Sequence, residues 1–219
     1  MSLRVNEIFF SIQGESSFAG YPCVFIRLTG CNLRCSYCDT RYAYDEGRNM
    51  EIQEIVQQVK SYPLSRRRPL VEVTGGEPLI QKETPRLIDQ LLQKGYQVLL
   101  ETNGSRDVSP IDRRCVKIVD IKCPSSGEME RNDFNNLDRL TEKDEIKFVM
   151  GDRNDYEYAK GILAAIKRRT SGGNLVHFSP VFGKMPLQAL AEWILEDGLF
   201  VRLHLPLHKF IWPTETRGI

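Results

Sequence analysis

The chain has 219 residues, 41% hydrophobic and 27% charged, with 30 Lys and Arg against 29 Asp and Glu for a formal net charge of +1. This is the composition of an ordinary globular protein, so a single domain over residues 1–219 is expected, and the near-neutral balance gives no global electrostatic reason for a nucleic-acid or anionic-membrane partner. The amino-terminal stretch lacks the apolar core of a secretory signal and no apolar run approaches bilayer length, which points to the cytoplasm.

In chain order, residues 3–13 alternate apolar and polar side chains, as an edge strand or hairpin does. Short apolar runs rich in β-branched residues then recur at 24–28, 70–73, 97–100, 116–121, 145–149, 175–178 and 200–205, the pattern of buried parallel strands. Amphipathic segments of helical length lie between several of them, at 50–62, 83–94, 152–168 and 186–196. Asp152 is placed to cap the third helix at its start, and Gly95 and Gly198 stand where helices end. Arg66, Arg67 and Arg68, between Pro63 and Pro69, read as a solvated loop from helix to strand. Alternating strands and helices imply right-handed βαβ units, and six or seven strands fall short of a closed eight-fold barrel. The expected fold is therefore α/β: an incomplete, laterally open β/α barrel, a partial TIM-type fold, with a short amino-terminal strand or hairpin outside the repeat. Ligands of such folds gather at the carboxyl ends of the strands.

After the strand at 24–28 comes Thr29-Gly30-Cys31-Asn32-Leu33-Arg34-Cys35-Ser36-Tyr37-Cys38-Asp39-Thr40. In a reducing compartment a tight cysteine group reads as metal binding rather than as disulfides. Three thiolates at spacing C-x3-C-x2-C can hold three irons of a [4Fe-4S] cubane and leave the fourth open. An open iron can chelate the amino and carboxylate groups of S-adenosylmethionine, so that cluster and cosubstrate carry the radical chemistry while the protein binds and orients. The alternative is structural zinc, which needs a fourth ligand from Cys23, Cys115, Cys123 or one of the three histidines and normally a second cysteine knuckle; no second knuckle is present. Cys23, Cys115 and Cys123 are scattered and read as small buried hydrophobes.

The second motif, Thr74-Gly75-Gly76-Glu77-Pro78, follows the strand at 70–73. Two glycines let backbone approach a ligand closely, and Glu77 can accept from an ammonium group. Beside the cysteine loop this turn is the natural seat for the methionine amino group.

The two motifs in this order resemble the radical S-adenosylmethionine superfamily. More narrowly, the chain resembles the 7-carboxy-7-deazaguanine synthases of queuosine and 7-deazapurine biosynthesis. The likeness runs through Phe10-Ser11-Ile12-Gln13-Gly14-Glu15, Phe25-Ile26-Arg27-Leu28, Cys38-Asp39-Thr40, Glu101-Thr102-Asn103-Gly104, Asp120-Ile121-Lys122-Cys123-Pro124-Ser125, Ser179-Pro180-Val181 and His208-Lys209. It implies a lyase that converts 6-carboxy-5,6,7,8-tetrahydropterin to 7-carboxy-7-deazaguanine with loss of ammonia, by hydrogen abstraction at C6, radical ring contraction and return of the hydrogen. It further implies that Cys31, Cys35 and Cys38 hold the cluster and that Tyr37, Cys38, Asp39, Gly76, Glu77, Cys123, Pro124 and Ser125 line S-adenosylmethionine. By the same resemblance Ile12, Gln13, Gly14, Arg27 and Thr74 contact the substrate, and Thr40 holds a Mg²⁺ ion. The cluster-bound cosubstrate carries the chemistry, so no side chain is assigned as catalytic. Arg27 is suited to a carboxylate in fork geometry.

Two positions depart from the family pattern. Ser16 stands where many members have glycine, and Leu205-Pro206-Leu207 precedes His208 where a polar residue such as Gln is expected. The implied partners are the small pterin, an external electron donor of flavodoxin or ferredoxin type, and a second copy of the chain in a homodimer. Two rival readings remain: a glycyl-radical-enzyme activating protein, which has no evident use for Gln13, Glu15, Arg27 and Thr40, and a zinc-stabilised binding module, which would be colourless where a cubane is brown.

Overall fold

The computed structural model describes residues 1–64, 69–169, 173–213 and 216–218; Arg66, Arg67 and Arg68 lie outside the described residues. The elements are β1 (Ser2–Ile12), β2 (Pro22–Leu28), β3 (Arg48–Glu51), α1 (Ile52–Lys60), β4 (Leu70–Gly75), α2 (Thr84–Gln93), β5 (Gln97–Thr102) and β6 (Val116–Asp120). They continue as α3 (Asn136–Arg139), β7 (Glu145–Met150), α4 (Arg153–Arg169), β8 (Leu175–Pro180), α5 (Leu187–Glu196), β9 (Arg202–Leu203) and α6 (His208–Ile211). Among the described residues one nine-stranded sheet runs in the order β3-β1-β2-β4-β5-β6-β7-β8-β9. It is parallel from β2 to β9, with β1 antiparallel to both β2 and β3. The sheet is open, with β3 and β9 at its two edges.

Strand alternation sorts the side chains into two layers. On the helix-covered face, Val71 and Val73 of β4 and Val98 and Leu100 of β5 pack with Ile52, Ile55, Val56 and Val59 of α1 and Leu87, Ile88 and Leu91 of α2. The helical residues fall at i, i+3, i+4 and i+7, the stripe that lays a helix on a sheet. The second half of the sheet is covered in the same way by α4 and α5 around Phe148, Tyr156 and Phe178. On the opposite, inner face a smaller apolar layer joins Phe9, Cys23, Phe25, Leu70, Leu99, Val116 and Ile118. Beyond it, toward the carboxyl ends of the strands, the inner face turns polar with Glu101, Asp120 and Lys147, while Glu72 sits level with the apolar layer beside Phe25 and Leu99.

Most elements fall where the periodicity puts them, and two differ. Residues 50–62 were expected as one helix, but Met50 and Glu51 pair with Leu3 and Ser2 in β3. β1 leaves an open ladder there, and Met50, 2% exposed, fills the core from a strand as well as it would from a helix. The last strand shortens to Arg202–Leu203. The caps behave as expected: Asp152 Oδ1 accepts the Asp155 N–H at 3.0 Å, and Gly95 and Gly198 take positive φ of 84° and 57°. Cys23, Cys115 and Cys123 are all 0% exposed.

At the amino-terminal end of β6 a buried ion pair ties strand to loop. Lys117 Nζ lies 2.9 Å from Asp144 Oδ2, with the side chains 2% and 0% exposed. The same carboxylate accepts the Lys117 N–H and the N–H and hydroxyl of Thr141. Removing one partner of such a pair strands a charge without solvent. Asp144→Ala is expected to lower unfolding free energy by about 3–5 kcal/mol, read as a shift of the urea midpoint.

Candidate active site

The inner face opens into a cavity of about 760 Å³ at the carboxyl ends of β2 and β4 to β8. The cysteine loop forms one end of it. That loop is held from both sides: Gly30 N–H bonds to Ala43 O at 2.8 Å, Thr29 Oγ1 to Glu46 O at 2.6 Å, and Arg34 N–H to Glu128 Oε1 at 2.6 Å. Ser36 donates through its N–H to Ser126 O and through its hydroxyl to Ser125 O, while Leu33, 1% exposed, anchors the middle. Cys31, Cys35 and Cys38 are free thiols and all three line the cavity. The Leu33 N–H and Asn103 Nδ2 point at Cys31 Sγ, at 3.4 and 3.7 Å. Burial pushes the Cys31 and Cys35 thiols above their ordinary range, so a metal centre is what would hold them as thiolates.

The Gly75-Gly76 turn packs directly on this loop. A Cβ on Gly76 would overlap the Gly30 carbonyl oxygen and stand 2.8 Å from Cys31 Cβ, and one on Gly75 would overlap the Leu28 carbonyl oxygen. No larger residue fits either place without moving backbone. Glu77 N–H then bonds to Gly30 O at 2.8 Å.

Of the residues expected to line the cosubstrate, Tyr37, Cys38, Asp39 and Gly76 are in the cavity wall, and Glu77, Cys123, Pro124 and Ser125 are not. The Glu77 carboxylate is 0% exposed and accepts from Leu79 N–H, Thr102 Oγ1 and Asn103 N–H at 2.7–3.0 Å. It fastens the glycine turn to the end of β5 and sets Asn103 beside Cys31, with no face left toward the cavity. Cys123 packs among Phe148, Met150 and Tyr156. Ser125 bonds through its N–H and hydroxyl to Asp155, behind the cysteine loop rather than in the wall.

All five residues expected on the substrate side, Ile12, Gln13, Gly14, Arg27 and Thr74, line the cavity. Arg27 Nε is bonded to Glu7 Oε1 at 2.7 Å, and its guanidinium lies over the rings of Phe9 and Tyr42 at 5.5 and 5.8 Å. The pairing with Glu7 uses the inner nitrogen, so the terminal nitrogens of the fork are the ones a ligand can meet. Thr40 is in the wall, its hydroxyl 3.0 Å from Asp39 Oδ1, and Lys209 reaches Asp39 from the carboxyl-terminal segment.

Sequence reasoning missed a polar group on the inner face. Lys147 is bonded to Glu15 at 2.7 Å and to Glu101, and Gln13 Nε2 is bonded to Glu72. Burial opposes the Lys147 charge, but Glu101 and Glu15 outweigh it and hold the ammonium well above its ordinary pKa. Burial likewise opposes the Glu15 charge, and Lys147 with His208 and His204 holds that carboxylate low. The signal was available: charged residues at alternate positions of otherwise apolar strands, Glu72 in β4, Glu101 in β5 and Lys147 in β7, belong to the face that does not carry the helices.

Ser16, the departure from glycine, has φ of +62°, the left-handed region that a side chain enters at a cost. Its hydroxyl accepts the Phe18 N–H at 3.2 Å. The second departure, 205–207, keeps its backbone role: Leu207 N–H bonds to Gly14 O at 2.8 Å and seats His208 where a Gly14 side chain would be.

Residues 25–123 match the model of the radical SAM superfamily. The 7-carboxy-7-deazaguanine synthase of Koribacter versatilis is 45% identical over 99% of this chain and 100% of its own length, and that of Chlorobaculum tepidum is 46% identical over 99% and 97%. The chain belongs to the 7-carboxy-7-deazaguanine synthase family. Its fold is shared with the crystal structure of QueE from Escherichia coli, at TM-score 0.78 and 24% identity over 94% of both chains. Membership of this superfamily implies a [4Fe-4S] cluster and S-adenosylmethionine. The residues fit both: three thiols share one end of the cavity, donors point at a sulfur, and Gly76 leaves the space beside Cys31 that a side chain would fill. Of the fourth ligands that the zinc reading could call on, Cys23, Cys115 and Cys123 are buried away from the cavity wall, and among the histidines His208 lines it. Among the described residues no three Cys, His, Asp or Glu side chains are placed to hold a single ion.

Replacing Cys31, Cys35 or Cys38 by Ala is expected to abolish retention of the cluster, while Cys115→Ala leaves it in place, as iron and sulfide analysis of the reconstituted proteins will read.

Proposed function

We infer that the chain converts 6-carboxy-5,6,7,8-tetrahydropterin to 7-carboxy-7-deazaguanine with loss of ammonia, a carbon–nitrogen lyase reaction of queuosine and 7-deazapurine biosynthesis. The observation that carries this is Arg27, held by Glu7 and two aromatic rings with its fork toward the same cavity that the three thiols close. With S-adenosylmethionine bound, the cluster supplies the radical that starts the reaction. The chain's own residues bind and orient: Arg27 takes the substrate carboxylate in fork geometry, and Thr74, in register with it, flanks it. Tyr37 and Asp39 stand on the cosubstrate side, with Tyr37 fixed by its hydroxyl to Val149 O at 3.2 Å.

Thr40 with the neighbouring Asp39 carboxylate offers hard oxygen donors of the kind Mg²⁺ takes together with water and substrate oxygens, which supports a Mg²⁺ ion at this end of the cavity. Loop 13–21 starts beside the amino-terminal end of β2, bonds to Glu145 at the start of β7, and meets the segment around His208 through Leu207 and Gly14. A site so covered suits a small molecule and disfavours the glycyl-radical rival, which must admit a protein backbone. We further read the open parallel sheet as an incomplete, laterally open β/α barrel forming one domain. Among the described residues no helix is long and apolar enough to cross a membrane. An external flavodoxin or ferredoxin, a second copy in a homodimer and a cytoplasmic location complete the proposal.

Arg27→Lys keeps the charge and loses the fork. A hydrogen bond to a charged group contributes about 1.5–3 kcal/mol, so kcat/KM for the carboxytetrahydropterin is expected to fall about tenfold to a hundredfold with the cluster absorbance retained; wild-type kinetics would remove Arg27 from the site. Thr40→Val is expected to raise the Mg²⁺ concentration needed for half-maximal turnover without loss of colour, and an unchanged Mg²⁺ titration would place the ion elsewhere. Wild-type enzyme that leaves the carboxytetrahydropterin untouched under reducing, Mg²⁺-replete conditions would overturn the substrate assignment.

A further inference from the structure

One group in the cavity has no task in binding the cluster, the cosubstrate or the substrate carboxylate. Glu72 lies on β4, 3% exposed, in the cavity wall. It precedes Thr74 by two residues on the same face of the strand, and Thr74 is in register with Arg27. Glu72 is therefore about 7 Å deeper along the strand than the guanidinium's level. Its register partner is Phe25, and Phe9 stacks on Phe25 with ring centres 4.9 Å apart and planes within 11°. Both phenyl rings line the cavity. The deep end of the cavity is thus walled by flat apolar rings and carries a carboxyl group at its floor, the chemistry that receives a planar heterocycle with hydrogen-bond donors on its far edge.

The charge count around Glu72 is incomplete. Glu15, Glu72 and Glu101 face one ammonium, Lys147, which is bonded to Glu15 and Glu101. Among the described residues the hydrogen-bond partner of the Glu72 carboxyl is the neutral amide of Gln13, on Oε2. Burial, with Glu101 and Glu15 nearby, drives its carboxyl well above the ordinary range. The fold does not ask for an acid here: the other inner-face positions at this depth, in register across the neighbouring strands, are Phe25, Leu99 and Val116. A buried carboxyl that is neither balanced nor needed for packing is stabilised by a ligand that brings donors.

We propose that Glu72 is a specificity-determining residue, accepting from the two adjacent N–H donors of a 2-amino-4-oxopyrimidine edge and so selecting the ring of the substrate. This rests on the functional reading above. In that substrate the carboxylate on the saturated ring and the 2-amino group on the flat pyrimidine ring stand at opposite ends of the bicycle, so seating the carboxylate on Arg27 directs the amino edge inward, past Phe25, to Glu72. Gln13 holds the Glu72 carboxyl in place. Lys147 leaves Glu72 uncompensated until the ring arrives.

The test compares Glu72→Gln with wild type as anaerobically reconstituted holoenzymes, titrated with 6-carboxytetrahydropterin and with its analogue carrying oxygen in place of the 2-amino group. Wild type is expected to prefer the amino compound by at least tenfold in Kd. Glu72→Gln is expected to lose at least tenfold on the amino compound and little on the oxo analogue, collapsing the preference, with KM rising more than kcat falls. If Glu72→Gln does not fold, Glu72→Asp, which keeps the charge and retracts it, gives the same readout. A variant that weakens both ligands equally, or a wild type with no preference, would overturn the role of Glu72 while leaving the reaction standing. Wild type that neither binds nor converts the amino compound would overturn the functional reading and this inference with it.

Discussion

The site depends on one backbone contact, the seating of the Gly75-Gly76 turn against the carbonyls of Leu28 and Gly30. Because neither glycine has a Cβ, the ends of β2 and β4 approach closely enough for Glu77 N–H to bond to Gly30 O. Glu77 then passes the constraint to β5 through Thr102 and Asn103, and Asn103 returns it to Cys31. The position of a metal-binding loop is in this way set by three strand ends rather than by the loop itself. A preorganised first shell needs such support, since a loop of three cysteines alone would lose its geometry.

The same parallel sheet separates stability from chemistry. Its helix-covered face is apolar and holds the two halves of the chain together. The inner face pairs a small apolar layer with a set of buried charged side chains that line the cavity. Arg27 and Glu72, which lies two positions deeper on the neighbouring strand, give the cavity a direction, a guanidinium at one level and a carboxyl at the next. Loop 13–21, tied to β7 by Ser17 and Glu145, and the His208 segment, tied to Gly14, close the side that the open sheet leaves exposed.

Much of this was legible in the residues, and the omissions have a common cause. The cysteine spacing, the glycine turn and the strand rhythm are local patterns, and each keeps its place in the structure. The one helix that began two residues early, at Met50, failed because β1 offered an unpaired edge 47 residues away in the chain. Glu77 was expected to face a ligand because its type and place allow it. Its burial against Leu79, Thr102 and Asn103 depends on the packing of two strand ends. Cys123 and Ser125 share a stretch with the wall residues Asp120 and Lys122, but the chain turns away at Pro124 and they point behind the loop.

The sequence by itself determined the chemistry: three cysteines at a spacing that suits a cubane with an open iron, a glycine turn on the next strand, and an arginine among apolar neighbours that needs a partner. Only the tertiary structure decided which side chains act together. Glu15, Glu72, Glu101 and Lys147 come from four separate segments, and nothing in their local sequence says that they share a cavity. Strand register brings Lys147 within bonding distance of Glu15 and Glu101 and sets Glu72 beside Gln13, and register is set by the packing of the whole inner and outer layers rather than by any one element.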